Sequence, residues 1–150
     1  MPRRVEAAEV GLRCLSTANR VRRVVDERMV TAGLSLARAK VLQALARQGP
    51  SRQNELAATL DTAPRTVTQS LEALELDGLV ERELDPADRR CKIATLTPAG
   101  SAALAAALRA GERELQRIFS AIGRQGLANL EDVLDAIDIE VSASAVERSS

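Results

Sequence analysis

The apolar period of this chain changes once, and the place where it changes constrains the fold more than any other feature. Between residues 63 and 76 apolar side chains recur at Val67, Leu71 and Leu74, the spacing that lines one face of a helix. Asp77-Gly78 closes that helix. From Leu79 the period drops to two: Val80, Arg82 and Leu84 alternate with Glu81 and Glu83, as on a strand. Asp85-Pro86-Ala87-Asp88 has turn chemistry, and Lys92 to Leu96 reads as a second strand. Thr97-Pro98 then starts a new helix, with Thr as cap and Pro in the first helical position. Residues 79–96 are therefore expected to form a two-stranded hairpin with a charged tip.

Helical spacing fills the remainder. Val10, Cys14, Ala18, Val21, Val25 and Met29 form a stripe on a first helix that Gly33 stops. Ser35 is expected to cap a second helix, ending at Gly49-Pro50. Ser51 is expected to cap a third, with Leu56, Ala57 and Leu60 on one side. A fifth helix carries Leu104, Leu108, Leu115, Ile118 and Phe119, and fades at Gly123 to Gly126. A sixth carries Leu127, Leu130, Leu134, Ile137 and Val141, a short seam of threes and fours. Ser142 to Ser150 is expected to be a frayed polar tail. Two short helices across a tight break at Asp61-Thr62, followed by a hairpin, are the parts of a winged helix-turn-helix.

Composition removes several function classes. The 150 residues include no His, Trp or Tyr, and Phe119 is the single aromatic. Without His there is no Ser-His-Asp or Cys-His pair and no imidazole metal ligand. Cys14 and Cys91 make neither a zinc site nor a secreted disulfide framework. No Gly-rich phosphate loop occurs, and Glu131, Asp132, Asp135 and Asp138 read as a solvated helix face. Neither an enzyme nor a cofactor or metal is expected. No apolar run approaches the roughly 18–20 residues of a membrane span, and the start turns charged at once, so a cytoplasmic setting is expected. Net charge is zero but unevenly spread: +3 over residues 1–34, zero over 35–97 and −3 over 98–150.

A nucleic-acid partner must therefore rest on local clusters and geometry. With Val67, Leu71 and Leu74 buried, a rotation of about 100° per residue points Arg65, Gln69 and Glu72 outward, flanked by Thr66 and Thr68. A helix of about 14 residues is roughly 21 Å long and fits a major groove. There Arg pairs with guanine, Gln with adenine, and a Thr methyl touches thymine. At the hairpin tip Arg89, Arg90 and Lys92 suit a narrow minor groove, which attracts inserted cations. Each cluster also has a plain reading, as a solvated helix face and as a surface loop balanced by Asp85 and Asp88.

The stretch LAATLDTAPRTVTQSLEALELDGLVER, followed by DPADRRCKIATLTPAG, resembles the MarR/SlyA family of transcriptional regulators. Asp88-Arg89-Arg90 followed by Leu96-Thr97-x-x-Gly100 carries the most specific part of the likeness. The resemblance implies a mainly α fold with a small two-stranded β-wing. A winged helix-turn-helix over residues 34–97 would be flanked by dimerisation helices over 1–33 and 98–150. It implies a homodimeric repressor on a palindromic operator, with the fourth helix in the major groove and the wing in the minor groove. A small-molecule effector would release it. By the same resemblance Arg90 holds the minor-groove arginine position and Asp88 the acid that orients it. The DNA-contact set expected is Arg52, Thr62, Pro64, Arg65, Thr66, Thr68, Gln69, Asp88, Arg89, Arg90 and Lys92.

Gln69 and Ala73 stand where members often carry Arg, and Glu72 would repel a phosphate it faced. Ala63 occupies a position where a polar cap is common, so Thr62 is expected to take that role. Two other functions fit the same residues: a winged-helix adaptor that binds only protein, and a thiol redox-responsive regulator. For the latter, Cys14 shares the apolar stripe and is expected to be a core residue. Cys91 lies beside Arg89 and Arg90, where positive charge favours the thiolate.

Overall fold

Val67, Leu71 and Leu74 lie on one buried face of a helix, as their spacing requires. The structure, a computed structural model, describes residues 5–148. Among these the elements run α1 (Ala7–Thr31), α2 (Leu36–Gln48), β1 (Ser51–Arg52), α3 (Gln53–Leu60), α4 (Pro64–Leu76), β2 (Val80–Leu84), β3 (Lys92–Leu96), α5 (Pro98–Ser120) and α6 (Gly123–Glu147). The chain divides into two compact units, Met1–Glu114 and Leu115–Ser150.

One core holds the first unit together. Leu42, Leu45, Leu56, Val67, Leu71, Leu74 and Val80 are almost fully buried in it, joined by Val25 and Met29 of α1 and Leu104 and Ala107 of α5. Local chemistry sets the helix ends. Ser35 caps α2 by accepting from the Arg38 amide at 3.3 Å, and the Asp26 carboxylate accepts from the Leu36 amide at 2.8 Å. Asp61, at φ +48°, makes the left-handed step between α3 and α4. The second half of α1 is tied to α5 by Arg28 Nε, 3.4 Å from the buried Glu114 carboxylate.

The sheet has three antiparallel strands, in the order β1-β3-β2. Val80 pairs with Leu96 and Leu84 with Lys92 in the hairpin, while Ser51 and Arg52 pair with Ala94 and Ile93. This corrects the role expected of Ser51. It is buried in a strand, where its hydroxyl donates to the Gly49 carbonyl, and Arg52 occupies the N-cap position of α3, its amide donating to Glu55 Oε2 while its side chain makes no cap. Thr97 does cap α5, accepting from the Gly100 amide at 3.0 Å while its hydroxyl donates to the Gly78 carbonyl at 2.8 Å.

Other expectations change at the chain's ends. Cys14 is exposed and takes no part in the core, because α1 packs only through its C-terminal half; Val10, Leu12 and Leu15 are exposed too. In the second unit α6 begins at Gly123 rather than after Gly126, and it continues to Glu147 through the expected tail; residues 149–150 of that tail lie outside the described ones. No residue of α6 is buried: Leu127, Leu134, Ile137 and Val141 are 40–60 % exposed. No described helix is long and apolar enough to cross a membrane.

Candidate nucleic-acid interface

The start of α4 is presented by backbone and side-chain bonds from its neighbours. The Thr62 amide donates to the Ala57 carbonyl at 3.0 Å, closing the α3–α4 turn. Gln53 Nε2 and Thr68 Oγ1 both donate to the Pro64 carbonyl, at 3.0 and 2.9 Å, pinning the first turn of α4 against α3. The N-cap is Ala63. Thr62 does not cap: its hydroxyl donates backwards, to the Leu60 carbonyl at 3.0 Å. Arg65, Thr66, Gln69 and Glu72 are exposed and Thr68 is half-buried, the arrangement expected from helical rotation.

The hairpin tip is built around two carboxylates. The Asp85 amide donates to the Cys91 carbonyl and the Cys91 amide to the Asp88 carbonyl, both at 2.9 Å, which closes the turn. Buried Asp85 accepts from the Ala87 amide at 2.9 Å and from Arg52 Nε at 2.6 Å. The Ala87 amide, and then Arg52, hold its carboxyl below the usual range against the opposing effect of burial. Asp88 Oδ1 accepts from both the Arg90 amide and Arg90 Nε at 3.1 Å, and this contact depresses its pKa. Arg90 itself remains 90 % exposed. Its guanidinium is thus oriented by Asp88 yet open to a partner, the pairing that the resemblance implied.

Below the tip, Arg82 Nη2 lies 3.0 Å from Glu75 Oε1, and its side chain is only 13 % exposed. The pair joins β2 to α4 and lowers the Glu75 pKa. Arg82 was not among the expected site residues. Its alternation with Val80 on one strand face was the signal that it points inward.

One groove, of about 490 Å³, collects much of this chemistry. It is lined by Gln53 and Asn54 of α3, Pro64 and Glu72 of α4, and Arg82, Arg90, Cys91 and Lys92 of the hairpin, together with Arg52. The start of α4 and the cationic tip therefore open on the same side of the unit. Arg65 and Gln69 stand on the outer face of α4, outside the groove. Thr62 and Thr66 border a smaller cavity of about 200 Å³ on the opposite flank, beside Lys40 of α2. Arg89 is exposed at the tip.

Residues 34–92 match the model of the MarR family. No curated protein matched the sequence. Among solved structures, a probable transcriptional regulator from Pseudomonas aeruginosa is 27 % identical, with TM-score 0.68 over 83 % of this chain and 93 % of that one. A MarR-family transcriptional regulator from Rhodococcus sp. RHA1 is 26 % identical, with TM-score 0.71 over 89 % and 95 %. The Bordetella bronchiseptica protein BpsR, whose DNA binding is regulated by 6-hydroxynicotinic acid, is 25 % identical, with TM-score 0.69 over 87 % and 98 %. Proteins of this family are transcriptional regulators rather than enzymes. Residues 34–92 thus carry the sequence pattern of the MarR family, and over most of its length the chain is similar in fold to winged-helix transcriptional regulators of that family.

Proposed function

We propose that this chain acts as a homodimeric repressor, placing α4 of each copy in a major groove of a palindromic operator and Arg90 of each wing in the adjacent minor groove. The observation that carries the reading is the shared groove, onto which the wing cations and the start of α4 both open. In this reading Arg65 and Gln69 read base edges, with Thr66 and Thr68 beside them. Arg89, Arg90 and Lys92 supply positive charge, Asp88 orients Arg90, and Pro64 and Thr62 shape the approach of α4.

A second copy is invoked because of the uncovered apolar side chains. The first half of α1 and the whole of α6 expose Val10, Leu127, Leu134, Ile137 and Val141, and a two-fold pair would bury such faces. Release by a small molecule in the cytoplasm completes the proposal. Its support is the likeness to BpsR.

The test is a mobility-shift titration of the full chain against DNA from upstream of its own coding sequence, at two salt concentrations. The expected result is a retarded complex whose affinity falls steeply with salt. A chain that retards no duplex at either concentration would be a winged-helix adaptor, and the proposal would fail.

A further inference from the structure

Arg52 was expected to touch DNA, and its place on the groove wall is compatible with that. Its bonds point elsewhere. Nε donates to Asp85 Oδ2 at 2.6 Å, and Nη2 contacts the same oxygen. The Asp85 side chain is 7 % exposed, against 32 % for that of Arg52. If Arg52 turned to a phosphate it would leave a buried carboxylate with the Ala87 amide as its remaining donor. Removing one partner from a buried ion pair is far more costly than removing both.

The backbone around Arg52 is fixed as well. It pairs with Ile93 of β3, and its amide is 3.4 Å from Glu55 Oε2 in the first turn of α3. From Asp85 a series of bonds continues into the tip: the Ala87 amide donates to the Asp85 carboxylate, the Asp85 amide to the Cys91 carbonyl, the Cys91 amide to the Asp88 carbonyl, and Arg90 Nε to the Asp88 carboxylate.

We infer that Arg52 is a positioning residue: through buried Asp85 it ties the start of α3 to the wing turn, and so sets where Arg90 stands relative to α4. This rests on the DNA-binding reading and reassigns Arg52 within it. A residue that acts this way alters affinity for every duplex alike and leaves the count of phosphate contacts unchanged.

The experiment compares the wild-type full chain with R52Q, R52K and D85N by two measurements. The first, made without DNA, is amide hydrogen exchange at Asp85, Ala87 and Cys91, with Leu42 and Leu45 in the core as internal reference. R52Q and D85N are expected to speed exchange at the three wing amides about tenfold and to leave the core unchanged; R52K, which keeps the charge but lacks the fork, falls between. The second is affinity across salt for duplexes selected from a random pool by the wild-type chain. R52Q is expected to lower affinity about tenfold on every duplex with an unaltered salt slope. The double variant R52Q/D85N should lose less than the two single losses combined.

A salt slope reduced by about one in R52Q, with wing exchange unaltered, would make Arg52 a phosphate contact and overturn the inference. Should the wild-type chain select no duplex while the wing amides respond as described, the DNA-binding reading fails and the hold of Arg52 on the wing stands.

Discussion

Gly100 offers the sharpest quantitative test of the packing described above. It lies in the first turn of α5, where replacing glycine with alanine ordinarily favours a helix by about 1 kcal/mol. Here a Cβ would meet the Leu79 carbonyl oxygen at 2.1 Å and Leu96 Cδ1 at 2.8 Å. The first contact falls about 0.9 Å short of the 3.0 Å that real Cβ atoms respect. The oxygen cannot retreat cheaply, since it accepts the Thr97 amide at 3.2 Å in the bond that seats α5 beside the hairpin. Overpacking of this kind costs about 1–3 kcal/mol and more against rigid backbone, so Gly100→Ala should destabilise by about 1–2 kcal/mol net. For a chain of this length that lowers Tm by about 2–8 °C. Urea unfolding of both proteins at one concentration, followed by circular dichroism, measures the difference. Leu96→Ala in the same background should not restore stability, because the tighter contact is with backbone. An alanine variant as stable as wild type, or more so, would refute this account of the α5 junction.

Acid should weaken the wing before the core. Asp85, Asp88 and Glu75 are all held below their ordinary values, so the stability they supply is full at neutral pH and is lost progressively as pH falls below about 5. Asp85→Asn should flatten that acid limb in a pH series of urea midpoints; an unaltered limb would show that the bonds of Asp85 to the Ala87 amide and to Arg52 are not linked to folding. Arg90→Ala should weaken binding to all duplexes and reduce the salt slope by about one, whereas Arg65→Ala or Gln69→Ala should change which duplex is preferred, at about 1–3 kcal/mol for each base pair read. Selection from a random pool followed by titration separates the two behaviours. Leu134→Glu, placed on the exposed seam of α6, should shift sedimentation of the full chain from dimer towards monomer at micromolar concentration; an unshifted dimer would place the interface elsewhere.

Elements governed by local rules were legible in the sequence. Helix α4 followed from the spacing of Val67, Leu71 and Leu74, the hairpin from the shift to a period of two, and the start of α5 from Thr97-Pro98. The bond between Asp88 and Arg90 spans two residues and was expected from the family likeness. What escaped depends on partners far along the chain. Strand β1 is two residues long and exists only because β3 lies beside it, the 43 positions from Ser51 to its partner Ala94 being closed by the hairpin's return. The ion pair of Arg52 with Asp85, 33 positions apart, has the same origin, whereas that of Arg82 with Glu75 spans seven and depends on how β2 turns back on α4. Cys14 was misplaced because a stripe of apolar residues shows that a face is to be covered, not whether its own chain covers it. The start of α6 was placed late because Gly123 and Gly126 read as breakers, although Gly123, at φ +75°, makes the turn that begins the helix and Gly126 lies within it.

The joint between β3 and α5 contains a single residue, and Thr97 clasps it from both sides. Such an elbow has no slack. A tilt of α5 cannot be absorbed between the helix and the strand, so it must be handed on to the hairpin as a swing of its far end. The lever is about five residues of strand long, and at roughly 3.3 Å per residue a rotation of a few degrees at the elbow moves the Arg90 end by about an ångström. Whatever grips α5 thereby acquires leverage on the arginine.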